Sequence, residues 1–226
     1  MNQNHHVRKR TVILTVALAA ALLAATGFIF LRTSARKGSS ARSGLDTSVS
    51  ILFIGNSHTY YNDLPGIVQH LAAEDGYDCR ITMLAHGGWY LRQHVEQPEV
   101  RFNILYGGYD YVVLQEYAQP FVQEAEYRES ARQLNQWVRE AGSIPVIYET
   151  WSVQSAPENQ NYMNEVHHRI ADEIDALLAP VGEKWWDYQE SHPQLDMFDP
   201  DGEHASAEGS AFAAECIWET IRQSLS

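Results

Sequence analysis

The sequence predicts an α/β protein, a three-layer α/β/α sandwich around a central parallel sheet. From residue 48 onward, short apolar runs alternate with amphipathic stretches, and no internal repeat is visible. The runs are apolar throughout rather than at every second residue, which is typical of strands covered on both faces. With 226 residues, 45% of them hydrophobic, the chain can bury such a core, so a wholly disordered protein is excluded.

Five apolar runs are predicted strands, and glycines mark several of their boundaries. Gly55 follows the first run, Gly87 and Gly88 follow the second, and Gly107 and Gly108 precede the third. The predicted strands are residues 49–54, 80–84, 109–114, 144–148 and 183–186. Parallel strands need crossover connections, which we expect to be right-handed.

The stretches between the strands carry apolar residues at helical spacing. Asp63 is a suitable N-cap for the first helix, Pro98 interrupts the second, and Gly142 and Pro180 follow the third and fourth. The predicted helices are residues 64–76, 91–105, 124–141, 159–178 and 205–224.

The N-terminal segment predicts a membrane anchor. A basic tail, residues 1–10, precedes an uncharged apolar stretch at residues 11–31, which as a helix would reach about 31 Å and span the hydrocarbon layer. Residues 32–49 predict a flexible linker to a domain at residues 50–226. Basic residues flank the apolar stretch on both sides, so the positive-inside rule does not decide its orientation in the membrane. We expect the domain to be extracytoplasmic because the basic and apolar segments have the layout of an export signal. The alternative is a signal peptide and secretion after cleavage.

The charge and the cysteine content exclude several functional classes. Beyond residue 43 the chain has nine basic and 29 acidic residues, and such a surface repels the phosphates of nucleic acids. A neutral or cationic substrate, or a polymer recognised by its shape and hydrogen bonds, fits this charge better. Cys79 and Cys216 are too few for a disulfide framework or a four-thiolate metal site. They form either one bridge or two buried free thiols.

Polar residues follow the predicted strands, at the edge where parallel α/β sheets bind their ligands. Ser57 lies in a tight turn after the first strand, where its hydroxyl can act as a nucleophile if a base reaches it. His204 can supply that base, and Asp201 can orient its imidazole and stabilise the imidazolium. The N–H groups of Ser57 and of the Gly87–Gly88 pair, with the Gln115 amide, can converge on an oxyanion.

Two blocks of the sequence resemble the SGNH, or GDSL-like, hydrolase superfamily. ILFIGNSHTYYNDLP resembles its first block in the form of a Gly-Asn-Ser variant subgroup, with Asn56 in place of the usual Asp. DGEHASAEGSAFAA resembles its last block, Asp-x-x-His. The resemblance covers roughly residues 50–224. The third block departs from the superfamily, which has Gly-x-Asn-Asp where this chain has Val-Leu-Gln-Glu at residues 113–116.

The resemblance implies roles for individual residues. Ser57 would be the nucleophile, His204 the general base and Asp201 its orienting carboxylate. The oxyanion hole would consist of Ser57, Gly88 and Gln115. Neither a metal nor an organic cofactor is implied.

Four further residues are predicted to shape the site: Asn56, His58, Glu116 and Trp151. Asn56 can hold the turn that presents Ser57, and Glu116 is a better orienter than catalytic acid. Trp151 can line a sugar-binding rim, together with Trp185 and Trp186, or pack in the core.

The resemblance also implies an activity. We expect a serine esterase that hydrolyses short acyl esters, above all acetyl esters on carbohydrate, through an acyl-enzyme. The alternatives are a lipid esterase or thioesterase of the same fold, acyl transfer to another acceptor, and a non-catalytic glycan-binding domain at the cell surface. The expected partners are a small-molecule or glycan ester and, through the N-terminal helix, the membrane.

Overall fold

The structure is a computed structural model that describes residues 47–118, 121 and 123–225. The predicted basic tail, the predicted membrane anchor and nearly all of the predicted linker lie outside these residues. Within the part of the chain that the structure describes, we find no helix with the length and apolar character needed to cross a bilayer. The predicted linker extends too far, because Ser48 and Val49 already belong to the first strand.

One sheet of five parallel strands forms the centre of the described domain. Its strands lie in the order β2-β1-β3-β4-β5. They are β1 Ser48–Gly55, β2 Asp78–Ala85, β3 Tyr111–Leu114, β4 Ile144–Tyr148 and β5 Leu177–Ala179. The parallel sheet and the helices that flank it confirm the α/β prediction. All five strands run in one direction, so the segments that follow them meet at one edge of the sheet.

Eight α-helices are found among the described residues: α1 Ser57–Tyr60, α2 Leu64–Glu74, α3 Leu91–Val95, α4 Pro98–Tyr106, α5 Glu124–Glu140, α6 Gln160–Glu173, α7 Val181–Ser191 and α8 Ala207–Ser224. Short 3-10 helices at Tyr61–Asp63 and Pro157–Asn159 precede α2 and α6. Pro98 separates α3 from α4, as its missing N–H and fixed φ predict.

The fifth strand is not where the sequence predicted it. Residues 183–186 lie inside α7, and the strand is the preceding segment Leu177–Ala179. The predicted helix at 159–178 ends early because Asp175 adopts a left-handed conformation (φ 54°), and the Ala176 N–H donates to the carbonyl of Ala171 at 2.9 Å. A three-residue strand is too short to show a pattern of its own.

Alternate residues of the strands face two separate core layers. In β1, Ile51 and Phe53 face the layer that contains α2, α7 and α8, whereas Leu52 and Ile54 face the layer that contains α3 to α6. All four side chains are fully buried. Cys79 and Cys216 lie in the first layer as free, buried thiols, and burial raises the pKa of both. The carboxyl ends of the strands are thus supported by two buried apolar core layers.

Candidate active site

The turn after β1 presents Ser57 at the edge of the sheet. Gly55 permits this turn, because a Cβ atom there would lie 2.3 Å from Thr59 Oγ1 and 2.5 Å from Gln115 Oε1. Asn56 then caps α1, with its Oδ1 accepting a hydrogen bond from the His58 N–H at 3.0 Å. Ser57 is the first residue of α1, partly exposed to solvent.

Three of the predicted site residues form one chain of hydrogen bonds. The Oγ of Ser57 lies 2.8 Å from Nε2 of His204, and Nδ1 of the same ring lies 2.6 Å from Oδ2 of Asp201. Ser57 and His204 are 147 positions apart in the sequence. With Asp201 ionised, Nδ1 carries the proton and donates to the carboxylate, so Nε2 is left to accept from the serine hydroxyl.

The carboxylate of Asp201 is held in its charged form. Its Oδ1 accepts the backbone N–H groups of Glu203 and His204, each at 2.9 Å. Desolvation alone would raise the pKa of Asp201, but the hydrogen bonds from the His204 ring and from these two N–H groups outweigh it and lower the pKa to about 2. Asp201 is therefore an anion throughout the physiological range of pH, which favours a proton on the neighbouring Nδ1.

The loop that carries Asp201 and His204 is fixed at both sides. The Asp199 N–H donates to the carbonyl of His204 at 2.8 Å, which closes the loop on itself. Trp151 Nε1 donates to the carbonyl of Glu203 at 2.9 Å and ties the loop to the segment after β4. These bonds limit the movement of the imidazole relative to the sheet.

Two rings pack against the imidazole of His204. Tyr61 stacks on it with 4.1 Å between ring centroids and 12° between planes, and His58 lies on the buried side at 5.2 Å. His58 is fully buried, and neither of its ring nitrogens has a hydrogen-bond partner. Burial and, second, the charge on His204 lower the pKa of His58 to about 3. His58 is thus a neutral packing partner, and Tyr61 is a contact that the sequence analysis missed.

Asn62 is a further site residue that the sequence analysis missed. Its Nδ2 donates to the carbonyl of Ala205 and to Oγ of Ser210, both at 2.9 Å, so it joins the Ser57 segment to the segment after His204. Its backbone has φ 51°, a conformation that Asn tolerates better than most residues. The Asn-Asp pair before Leu64 and Pro65 was the available signal, because such pairs are typical of tight turns.

The predicted role of Gln115 as an oxyanion donor is wrong for this structure. Its side chain is fully buried under the Ser57 turn, where Oε1 accepts from the Asn56 N–H at 2.8 Å and from Thr59 Oγ1 at 2.9 Å. Its Nε2 donates to the carbonyl of Glu116. The amide of Gln115 therefore supports the turn from below, and it does not face a substrate.

The loop after β2 lies beside the Ser57 turn. The Trp89 N–H donates to the carbonyl of His86 at 3.1 Å, which closes a tight turn with Gly88 at φ 73°. Asn56 Nδ2 donates to the carbonyl of Trp89 at 2.9 Å and so holds this loop next to Ser57. Gly88 is exposed, and none of the hydrogen bonds in the described part of the chain uses its N–H. A role for Gly88 as an oxyanion donor stays a prediction.

Glu116 and Trp151 are buried in the core, in the segments that follow β3 and β4. Glu116 Oε1 accepts from the Leu91 N–H at 3.1 Å and from the Tyr117 N–H at 2.6 Å, and burial raises its pKa to about 8. Trp151 is fully buried and stacks on Trp185 at 4.0 Å with 11° between planes. The interpretation of these tryptophans as a sugar-binding rim is therefore wrong, and core packing explains them.

Comparisons with known proteins agree with this architecture. No family model matches the sequence, and no curated protein does. A solved protein from Slackia heliotrinireducens, provisionally described as an SGNH hydrolase, is 25% identical with a TM-score of 0.65, and the match covers 77% of this chain and 99% of that one. An acetyl xylan esterase is 12% identical, with a TM-score of 0.62 and coverage of 76% and 100%. A carbohydrate esterase of family 3 from Talaromyces cellulolyticus is 12% identical, with a TM-score of 0.58 and coverage of 78% and 98%.

The fold and the structural matches define the class of this protein. Its parallel α/β sheet has the fold of solved SGNH hydrolases and esterases, which supports an ester-bond hydrolase. The chain is similar in fold to solved proteins of the SGNH hydrolase superfamily.

Proposed function

We propose that this protein hydrolyses short acyl esters, with Ser57 as nucleophile, His204 as general base and Asp201 as the orienting carboxylate. The hydrogen-bonded chain through these three side chains carries the proposal. Oγ of Ser57 attacks the ester carbonyl while its proton passes to Nε2 of His204, and Asp201 stabilises the imidazolium. The imidazolium then protonates the departing alcohol oxygen, which leaves an acyl-serine. Water, deprotonated by the same imidazole, releases the acid and restores Ser57.

Backbone groups are proposed to stabilise the oxyanion. The N–H groups of Ser57 and Gly88 are the candidates, because the bond from Asn56 to Trp89 holds the two loops side by side. Gln115 is left out of this set, since its amide is bound beneath the turn. Its contribution is to hold the Asn56 N–H and the Thr59 hydroxyl so that the turn keeps its shape.

The charge around the site supports a neutral substrate. Asp199, Asp201 and Glu203 lie within five positions of one another in the loop beside His204, and the chain as a whole has a formal charge of −13. An anionic carrier, such as a phospholipid or a nucleotide-linked thioester, is repelled by this surface. A neutral glycan that bears an acetyl group is not. We therefore propose acetylated carbohydrate as the substrate class.

The activity test compares single substitutions on p-nitrophenyl acetate. We expect Ser57→Ala and His204→Ala each to lower kcat/KM by at least about a thousandfold, because the nucleophile and its base act as one unit. Ser155→Ala is the matched control, since this serine is exposed and lies outside the site. Activity that survives at either Ser57→Ala or His204→Ala contradicts the assignment.

Covalent labelling separates an enzyme from a binding domain. A fluorophosphonate probe is expected to label the wild-type chain at Ser57 and to leave Ser57→Ala unlabelled. A glycan-binding domain that lacks an activated serine would give no label in either protein. Release of acetate from acetylated xylan, compared with release from acyl-thioesters, then tests the substrate class.

We further propose that residues 11–31 anchor the protein in the cell membrane with the domain outside the cytoplasm. The proposal rests on the apolar stretch and the basic tail before it. Protease added to intact cells is expected to degrade the domain. Protection of the domain in intact cells, or recovery of the whole chain from the medium, contradicts the proposal.

A further inference from the structure

A second group of polar side chains lies at the carboxyl end of β4, away from Ser57. Glu149 follows this strand directly, His168 is on α6, and Glu183 is in the first turn of α7. One ligand atom from each of the three side chains lies within 4.8 Å of the others. The Nε2 of His168 is 3.2 Å from Oε2 of Glu183.

The backbone brings Glu149 and Glu183 together. The Gly182 N–H donates to the carbonyl of Glu149 at 3.1 Å. A Cβ atom at Gly182 would lie 2.1 Å from the carbonyl oxygen of Thr150, so only glycine lets α7 begin this close to the segment after β4. The pairing of the two carboxylates is thus built into the packing of the fold.

Glu149 is the unusual member of this group, because its carboxylate is buried without full compensation. Its side chain is completely buried, and Oε2 has no hydrogen-bond partner. Its Oε1 lies 2.7 Å from the amide of Asn164, in the amide orientation that satisfies both groups. A buried carboxylate with a free oxygen is costly unless a cation or a proton occupies it.

We propose that Glu149, His168 and Glu183 bind one divalent transition-metal ion of the zinc class. One imidazole and two carboxylates match the ligands that zinc uses, with a water at the fourth position. Two ligand atoms on a tetrahedral zinc ion are separated by about 3.3 Å, close to the 3.2 Å between His168 and Glu183. Among the described residues, His168 is the one basic group paired with Glu183, so an ion would neutralise both carboxylates.

The proposed ion would support the catalytic loop without taking part in the reaction. Trp151, two residues after Glu149, holds the carbonyl of Glu203 beside His204, and it stacks on Trp185 in the helix that carries Glu183. An ion bound by both Glu149 and Glu183 would link the segment after β4 to α7, the two elements that the stacked Trp151 and Trp185 already join. We therefore expect the metal to raise thermal stability rather than to supply a step of ester hydrolysis.

The test is calorimetric titration of zinc chloride into the untagged full chain after removal of metal with a chelator. His5 and His6 are replaced by alanine throughout, because neighbouring histidines bind zinc by themselves. We expect one equivalent of zinc to bind and to raise the melting temperature. His168→Ala and Glu183→Gln should each weaken the affinity at least about tenfold and remove the shift in melting temperature. Glu149→Gln should do the same, with circular dichroism to confirm folding.

Two control variants locate the site. His70→Ala removes an exposed His–Glu pair on α2, His70–Glu74 at 3.3 Å, that has the same chemistry but no buried carboxylate. His204→Ala removes the imidazole beside Asp201. Zinc affinity that is unchanged in both controls and lost in His168→Ala supports the proposed site. The proposal is overturned if zinc affinity is lost in His204→Ala, or if it survives in His168→Ala and Glu183→Gln. It is also overturned if the protein binds only calcium or magnesium, or binds no zinc at all.

Discussion

Asn62 holds together the two segments that supply Ser57 and His204, and its replacement should lower the free energy of unfolding. The substitution Asn62→Ala deletes two hydrogen bonds, to the Ala205 carbonyl and to Ser210 Oγ, and leaves alanine at φ 51°. Each bond is partly solvated and contributes about 0.5–1 kcal/mol, and the left-handed backbone costs alanine about 1 kcal/mol more. We predict that the free energy of unfolding falls by about 2–3 kcal/mol.

Urea denaturation of the variant and the wild-type chain measures this loss. Asn159→Ala is the matched control, because Asn159 is exposed and its side chain caps no helix; we expect a change within about 0.5 kcal/mol there. In a double-mutant cycle, Asn62→Ala and Ser210→Ala should couple by about 0.5–1 kcal/mol, since they share one hydrogen bond. With p-nitrophenyl acetate, kcat should fall more than KM changes. A loss no larger than that of the control, or no coupling with Ser210, refutes the reasoning.

Three other substitutions test the electrostatics and packing of the site. The pKa of Asp201 is lowered to about 2, so its charge stabilises the folded state above about pH 4 and this stabilisation is lost as the pH falls toward 2. Asp201→Asn should therefore flatten the acid limb of melting temperature against pH; an unchanged limb contradicts this. The pKa of Glu116 is raised to about 8, so its ionisation destabilises the folded state as the pH rises from about 4.5 to about 8. In urea titrations, Glu116→Gln should therefore increase the free energy of unfolding more at pH 8.5 than at pH 5. An equal effect at both pH values would contradict this. Gly55→Ala forces a Cβ atom against Thr59 and Gln115 and should cost about 1–3 kcal/mol of stability with a fall in kcat; a neutral result would show that the turn has room.

The sequence predicted β1 to β4 from local signals. The runs that became β1, β3 and β4 are mostly apolar and buried. The edge strand β2 contains Arg80 and an exposed Met83, and the Gly87–Gly88 pair after it marked its end. Leu177–Ala179 has three residues and follows a helix whose apolar spacing continues into it, so periodicity placed the strand one segment too late. Its pairing with β4 is a long-range contact that no local pattern contains.

In the candidate site, too, local motifs could be predicted from the sequence, whereas contacts between distant residues could not. Ser57 and the Asp201–His204 pair stand in short motifs whose spacing is visible along the chain, and the structure brings all three together. Gln115 was assigned a donor role from its position after β3, yet the direction of its amide depends on the Asn56 N–H and Thr59 hydroxyl beside it. Trp151 was similarly ambiguous until its stacking partner was known.

By itself, the sequence determined the properties that depend on neighbours along the chain: the alternation of strands and helices, the turn that presents Ser57, and the three-residue spacing from Asp201 to His204. Only the tertiary structure decided which side chains meet across the sheet edge, since hydrogen-bond direction and burial depend on residues far apart in sequence. Asn62 against Ser210, Tyr61 against His204 and Glu149 against Glu183 are contacts of that kind. These residues meet because the two core layers pack against the sheet, and the pattern of residues along the chain does not contain that packing.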